Sequence, residues 1–172
     1  SESHIAQGLK SVMWPARMQK LGPGALWQMV PADAELWLDG GHNPSAGRVL
    51  AQAFSDLNDR HSRPLVLVWG MLNTKDVASF IESFAGIASR VIALTIPGEE
   101  NAVPADALAA AARSRGISAE TASSLDEALQ QAALAAAVAT ADIVITTAQV
   151  PGRRAPLLVT AEMVGTMKPG AV

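Results

Sequence analysis

Cysteine is missing from all 172 residues, so the chain has neither disulfides nor thiolate metal sites. That absence suits a cytoplasmic protein. No apolar run reaches the ~18 residues that a membrane span needs. The alanine-rich stretch over residues 130–140 is too short for one, and no secretory signal opens the chain. Charged residues make up only 17%, and a net charge of −3 gives no general attraction for nucleic acid or an anionic membrane. Two phosphate-binding devices are also absent. There is no Gly-x-x-x-x-Gly-Lys-Ser/Thr loop and no Gly-x-Gly-x-x-Gly turn after a strand. His4 and His61 have no partners at metal-ligand spacing. The chain opens on Ser1 without an initiator methionine, which reads as a piece trimmed from something longer.

What is present is a dense apolar pattern. Hydrophobic residues supply 49% of the chain, enough for one core and too many for a disordered segment. Helical spacing marks residues 2–13, and residues 17–21 and 25–30 flank Gly22-Pro23-Gly24 as a hairpin or two short edge strands. From residue 35 the pattern turns regular. Strands are expected over 36–39, 64–70, 90–96, 117–121 and 142–147, and helices over 45–59, 75–87, 104–115, 125–138 and 159–167. Strands alternating with helices of this length specify one α/β domain, a doubly wound, mainly parallel sheet with helices on both faces. Right-handed crossovers then gather the loops at 40–44, 70–75, 97–101 and 148–156 on one rim. The order of the strands is not readable from the pattern.

Chemistry concentrates on that rim. Leu36-Trp37-Leu38-Asp39-Gly40-Gly41-His42-Asn43-Pro44 delivers an acid and an imidazole onto a glycine-softened turn. Asn43 is a good helix cap, and Pro44 suits the first helical turn. Asp39 can accept from a ribose hydroxyl and His42 can donate to a phosphate or carboxylate; the structural alternative is a capping acid and a solvated turn histidine. In Gly70-Met71-Leu72-Asn73-Thr74-Lys75-Asp76, Thr74 is the candidate cap, and Lys75 either meets an anion or is simply solvated. Arg17, in Trp14-Pro15-Ala16-Arg17, can fold back toward phosphates or lie on the surface. Trp14, Trp27, Trp37 and Trp69 read as packing residues.

These three motifs, with Ile96-Pro97-Gly98-Glu99, resemble the C-terminal domain of the dihydrofolate synthase/folylpolyglutamate synthase family, in the Mur ligase superfamily, over about residues 1–135. Gly41 stands where the family more commonly has alanine. The resemblance implies a Rossmann-like domain of the Mur ligase C-terminal type. It also implies an ATP-dependent ligase that joins glutamate to a pteroate or folate through an acyl phosphate. By the same resemblance Asp39 would meet the nucleotide ribose, and Arg17 and His42 its phosphate side. The family's phosphate loop and most of its magnesium ligands belong to a separate N-terminal domain.

Residues 139–172 depart from that pattern. Ile143-Val144-Ile145-Thr146-Thr147-Ala148-Gln149-Val150-Pro151-Gly152 and Thr160-Ala161-Glu162-Met163-Val164 are similar to the NAD-binding domain of transhydrogenase α subunits and alanine dehydrogenases. The two resemblances imply a chimera, natural or engineered, joined between Ala133 and Asp142 and without catalytic activity alone. Two other readings stand beside it: a natural folate-ligase fragment that binds ADP or ATP, and an NAD(H)-binding module. Pro169-Gly170-Ala171-Val172 reads as a strand cut short, whose open edge invites self-association.

Overall fold

The computed structural model describes residues 2–11, 14–32, 34–60, 63–137 and 142–146. The elements run α1 (Glu2–Ser11), β1 (Gln19–Lys20), a 3-10 turn (Leu26–Met29), β2 (Glu35–Asp39), α2 (Pro44–Arg60), β3 (Leu65–Trp69), α3 (Val77–Glu82), β4 (Ala88–Leu94), α4 (Ala105–Arg113), β5 (Ala119–Ala122), α5 (Leu125–Ala137) and β6 (Asp142–Thr146). One sheet holds all the strands in the order β1-β2-β6-β3-β4-β5. Only β1 is antiparallel to its neighbour. The doubly wound, mainly parallel sheet expected from the pattern is the fold observed.

The order shows how the chain is wound. From β2 it steps outward through β3 and β4 to β5, with α2, α3 and α4 packed together along one face. It then reverses through α5 on the opposite face and lays β6 between β2 and β3. The segment expected at 142–147 is therefore a central strand. The helix expected at 159–167, the loop at 148–156 and the strand opening at Pro169 lie outside the described residues.

Period-two alternation divides the core. Leu65, Leu67 and Trp69 of β3 face α2, α3 and α4, whereas Val66 and Val68 face α5. Such two-sided burial explains the unbroken apolar run of β3. Trp69 stacks on Phe80 at 5.9 Å between centroids, and Phe80 meets Phe84 at 5.4 Å. Trp37 packs edge-on against Phe54 of α2 at 6.0 Å. Trp14 departs from the packing role expected of all four tryptophans, since it is 70% exposed.

Three local expectations are corrected. Residues 25–30 form no strand: the 3-10 turn there packs toward α5, and β1 pairs with β2 instead. Asp76, not Thr74, caps α3; its Oδ1 accepts the Ser79 N–H at 3.0 Å. The two bonds from Ser79 hold that carboxyl below its ordinary value. The helix consequently starts at Val77 and stops at Glu82, short of the span expected to reach residue 87. Backbone turns carry the chain through Gly86, whose φ of +77° suits glycine.

β1 is held to β2 by a small polar cluster. Lys20 pairs with Glu35, Trp37 Nε1 donates to Glu35 Oε2 at 3.2 Å, and the Lys20 ammonium lies 5.7 Å from the Trp37 ring centre. Partial burial pushes the Glu35 carboxyl up, but the hydrogen bond and charge of Lys20, with Trp37 and Arg63, bring it below its usual value. A depressed carboxyl stabilises the fold above its unfolded-state pKa, and that contribution is lost as pH falls through the folded value. Glu35→Gln is expected to lower the urea midpoint at neutral pH, with the gap from the parent closing as the pH is taken below the folded pKa.

Gly47 sits inside α2, where alanine has the better propensity by about 1 kcal/mol. A Cβ there would stand 3.0 Å from the Phe80 carbonyl oxygen and 3.1 Å from Ser83 Oγ. The glycine thus lets α2 and α3 approach closely. Gly47→Ala is expected to destabilise by about 1–2 kcal/mol net, since overpacking outweighs propensity; equilibrium urea unfolding measures it.

Candidate functional site: a cleft at the end of β2

The site starts from a buried carboxylate. Asp39 ends β2 and is only 5% exposed, so its charge must find donors within the fold. Both are backbone amides. Oδ1 accepts the Gly41 N–H at 2.6 Å, and Oδ2 accepts the Met18 N–H at 2.7 Å. The first bond shapes the turn after β2. The second draws in the segment around Arg17, which lies far away in sequence.

That segment is an arch. Ala16 and Met18 take positive φ angles of 53° and 43°, a conformation costing about 1–2 kcal/mol for each residue other than glycine. Three bonds hold it in place besides the Asp39 contact. Gly40 N–H donates to the Ala16 carbonyl at 2.9 Å, Ala16 N–H donates to Gln19 Oε1 at 3.0 Å, and Arg17 Nη1 donates to the Ala16 carbonyl at 2.9 Å. Hydrogen bonds to a charged group contribute about 1.5–3 kcal/mol each, the size needed to offset the backbone strain.

Past the turn, Asn43 Oδ1 accepts the Ala46 N–H at 2.9 Å and caps α2, with Pro44 in its first turn as expected. His42 is half-buried, and its Nδ1 lies 3.0 Å from the Gly40 carbonyl. A carbonyl only accepts, so Nδ1 carries the proton. Nε2 then offers a lone pair in the neutral ring and a donor in the imidazolium.

These parts surround a cleft of about 500 Å³, within the usual ~300–1,000 Å³ of a small-molecule site. Arg17, Asp39 and His42 all line it, along with Met18, Ser45 and Val49. The structure therefore brings together three of the four residues singled out in the sequence. Lys75 is not among the lining residues. It follows β3, two strands from β2 because β6 lies between them, on a loop tied to another by Asn73 N–H and the Asn101 carbonyl at 2.8 Å. The anion contact expected of Lys75 is not part of this cleft.

Four features escaped the sequence reading. Met18 supplies the amide that Asp39 binds. Ser45 lines the cleft and accepts from Arg48 Nη2 at 3.1 Å, placing a second guanidinium near the rim. Val49, which the helical spacing over 45–59 turns toward the core, is instead 67% exposed and adds an apolar wall. Ser45, Arg48 and Val49 fall on the first turns of α2, and that spacing was the available signal. The arch left no signal, because neither Ala16 nor Met18 marks a positive φ.

The cleft suits an anionic ligand with an apolar part. Among the described residues Arg17 has no ion-pair partner, and the partly positive N-terminus of α2 opens beside it. No group of three His, Asp or Glu side chains fit to hold a metal occurs among the described residues. No helix of the described residues is long and apolar enough to cross a membrane.

Comparison with known proteins gives two kinds of similarity. Residues 74–172 match the family described as alanine dehydrogenase/PNT, C-terminal domain. The chain is also 31% identical over 101 residues to a folylpolyglutamate synthase of Lacticaseibacillus casei, covering 59% of this chain and 21% of that protein. Among solved structures, it is similar to Mycobacterium tuberculosis folylpolyglutamate synthase complexed with ADP and AMPPCP, with a TM-score of 0.66 and 26% identity over 85% of this chain and 32% of that one. The bifunctional folylpolyglutamate synthase/dihydrofolate synthase of Yersinia pestis, complexed with AMPPNP and Mn, gives a TM-score of 0.66 and 26% identity over 86% of this chain and 32% of its own. The chain thus spans about a fifth of the curated relative and about a third of the solved structures. Neither similarity stops at the join expected between Ala133 and Asp142. The family match begins at residue 74, well before the 139 expected, and the structural match covers more of the chain than precedes Ala133.

A Cβ on Gly41 would stand 2.8 Å from Asp39 Oδ1 and 2.9 Å from Leu50 Cδ1. The alanine common in the resembled family has no room here while the Asp39 bond stands. Gly41→Ala is expected to destabilise by about 1–3 kcal/mol, measured by urea unfolding; an unchanged midpoint would show that the turn yields.

Proposed function

Since the chain belongs to the alanine dehydrogenase/PNT C-terminal domain family through residues 74–172 and is homologous to folylpolyglutamate synthases, we propose that it is a folylpolyglutamate-synthase-like nucleotide-binding domain. ADP or ATP occupies the cleft at the end of β2, with Arg17 and His42 at the phosphates and the apolar wall of Val49 beside the rest. The observation that carries this reading is the shared cleft: one cavity lined by a guanidinium without an ion-pair partner among the described residues, an imidazole and a carboxylate, all from motifs of the resembled family.

In the proposal the domain binds nucleotide without completing ligation. The sequence contains no Gly-x-x-x-x-Gly-Lys-Ser/Thr loop, so the transferred phosphate lacks the cradle that phosphoryl transfer relies on. The acyl phosphate of a folate carboxyl would need groups outside this chain. Arg17 and His42 can hold the charge of the departing diphosphate end, and they supply no base for the glutamate amine.

A chimeric origin is a second element of the proposal. It rests on the transhydrogenase-like run 139–172 and on the central place of β6, a slot that a strand–helix unit from a related doubly wound sheet can fill. Set against it, the structural match covers 85% of the chain and therefore overlaps the family match over residues 74–172. An NAD(H)-binding role is supported by the family match alone. Dinucleotide sites of this fold place the pyrophosphate on a glycine-rich turn, and the sequence has none.

Titration calorimetry tests the nucleotide reading. ADP is expected to bind, and Arg17→Ala to weaken it about tenfold or more, the worth of one charge-assisted bond. Lys75→Ala should leave it unchanged. Absence of heat with ADP overturns the reading, and so does equal loss in both variants. Turnover of pteroate, glutamate and ATP by the purified chain would overturn the claim that it does not ligate alone.

A further inference from the structure

The nucleotide reading gives the phosphates to Arg17 and His42 and leaves one polar pair at the same cleft without a role. Ser45 lines the cleft, and its Oγ accepts Arg48 Nη2 at 3.1 Å. We propose that Ser45 and Arg48 form a second anion-binding arm of the cleft, which selects nucleotides carrying more than one phosphate. This rests on the nucleotide reading and deepens it by naming the class of nucleotide.

Three observations carry the arm. The first is direction. Helix side chains lean toward the N-terminus, and residues three apart share a face. Arg48 accordingly reaches back one turn to Ser45, which brings its guanidinium to the end of α2 where Ser45 and Asn43 line the cavity. The second is donor capacity. The bond to Ser45 uses one of the five guanidinium N–H groups, and the Ser45 oxygen accepts it, so the hydroxyl hydrogen stays available to donate. A hydroxyl beside the rest of a planar fork of N–H groups matches the oxygens of a phosphate.

The third is charge. Among the described residues Lys20, Arg90 and Arg115 each pair with a glutamate, whereas Arg48 has no ion-pair partner. The next acid along α2 is Asp56, about 12 Å farther down the axis, which exceeds the Debye length of about 8 Å at physiological salt. Asp56 moreover accepts Gln52 Nε2 at 2.8 Å. Asp39 is the single acid among the described lining residues. Set against it are two guanidinium groups, Arg17 within the cleft and Arg48 at its rim, so the mouth keeps a positive excess.

The arm belongs to α2, while Arg17 and His42 come from the arch and the turn after β2. It therefore meets a different part of the ligand. A nucleoside monophosphate has one phosphate, which Arg17 and His42 engage. A diphosphate or triphosphate brings a further anionic group to Ser45 and Arg48. An ordinary solvated pair three residues apart would support the helix slightly and leave ligand affinity unmoved.

Titration calorimetry on the full chain with AMP and ADP tests the arm. The parent is expected to bind ADP more tightly than AMP. Arg48→Gln removes the charge and should weaken ADP about fivefold, the effect of one solvent-exposed charge pair, while AMP stays within a factor of two. The surviving AMP binding shows that the variant is folded. Ser45→Ala should weaken ADP in the same direction. The two substitutions together should cost less than the product of their separate losses, because the residues act as one unit. Raising the salt concentration should narrow the ADP gap between the parent and Arg48→Gln. Arg115→Gln makes the same change of charge on the turn before β5 and should leave both nucleotides unchanged.

Unchanged ADP affinity in Arg48→Gln overturns the arm. Equal weakening of AMP and ADP overturns its selectivity for a further phosphate. Equal weakening by Arg115→Gln reduces the effect to the net charge of the protein and overturns it as well. Each of these results, with the parent still binding ADP, leaves the nucleotide reading standing. Absence of ADP binding by the parent overturns both.

Discussion

A carboxylate buried at the end of a strand is the constraint on which the rest of the cleft depends. Removing its charge from water costs several kcal/mol unless donors replace the solvent. The fold supplies them from two amides that lie on opposite sides of a sequence gap, Met18 and Gly41. Because the donors are backbone, the price of burying Asp39 is converted into local geometry. The turn after β2 and the arch around Arg17 are both bonded to that one side chain.

The sheet imposes a second constraint, of longer range. β6 comes last among the described strands yet lies between β2 and β3, so the ladder that joins the two halves of the sheet is complete only when that strand is in place. β2 meets β6 with Asp39 opposite Thr146, and β3 meets it with Trp69 opposite the same residue. The strand that carries the cleft is therefore anchored to the main core through a segment distant in sequence. Long-range parallel pairing of this kind costs loop-closure entropy before it gives contacts back. Its reward here is a sheet buried on both faces by helices.

Much of the fold was legible because its signals are local. The unbroken apolar run at Leu65–Trp69, the 3.6-residue spacing in α2, α4 and α5, and Asn43-Pro44 at the head of α2 each identify an element without reference to the others. Legibility failed where a residue answers to a distant partner. Residues 25–30 carry the apolar content of a strand, but α5 claims them as a 3-10 turn. Thr74 and Asp76 are both acceptable caps by composition, and only the helix start at Val77 decides between them. The strand order, set by β6 returning past β4 and β3 through one crossover, has no local mark at all. In the site, Asp39, His42 and Arg17 were recognisable by motif, whereas the arch geometry depends on bonds made across the fold. The importance of Gly41 was not legible, because it lies in the space beside the residue and not in its own chemistry.

The cleft and the family match occupy different parts of the chain, which limits what each can explain. Every residue that lines the cleft falls between Arg17 and Leu50, ahead of residue 74, where the alanine dehydrogenase/PNT match begins. Membership in that family covers the chain from α3 through β6 and is silent on the anion end of the cleft. A nicotinamide coenzyme bound in the family's manner would need its own site among the loops after β3, β4 and β6. Of the loops described there, those at 70–75 and 97–103 are tied to each other by backbone bonds from Asn73 to Asn101 and from Val103 to Met71, and Ile96 closes against Gly70. The cleft described at the β2 end is lined by residues outside that match.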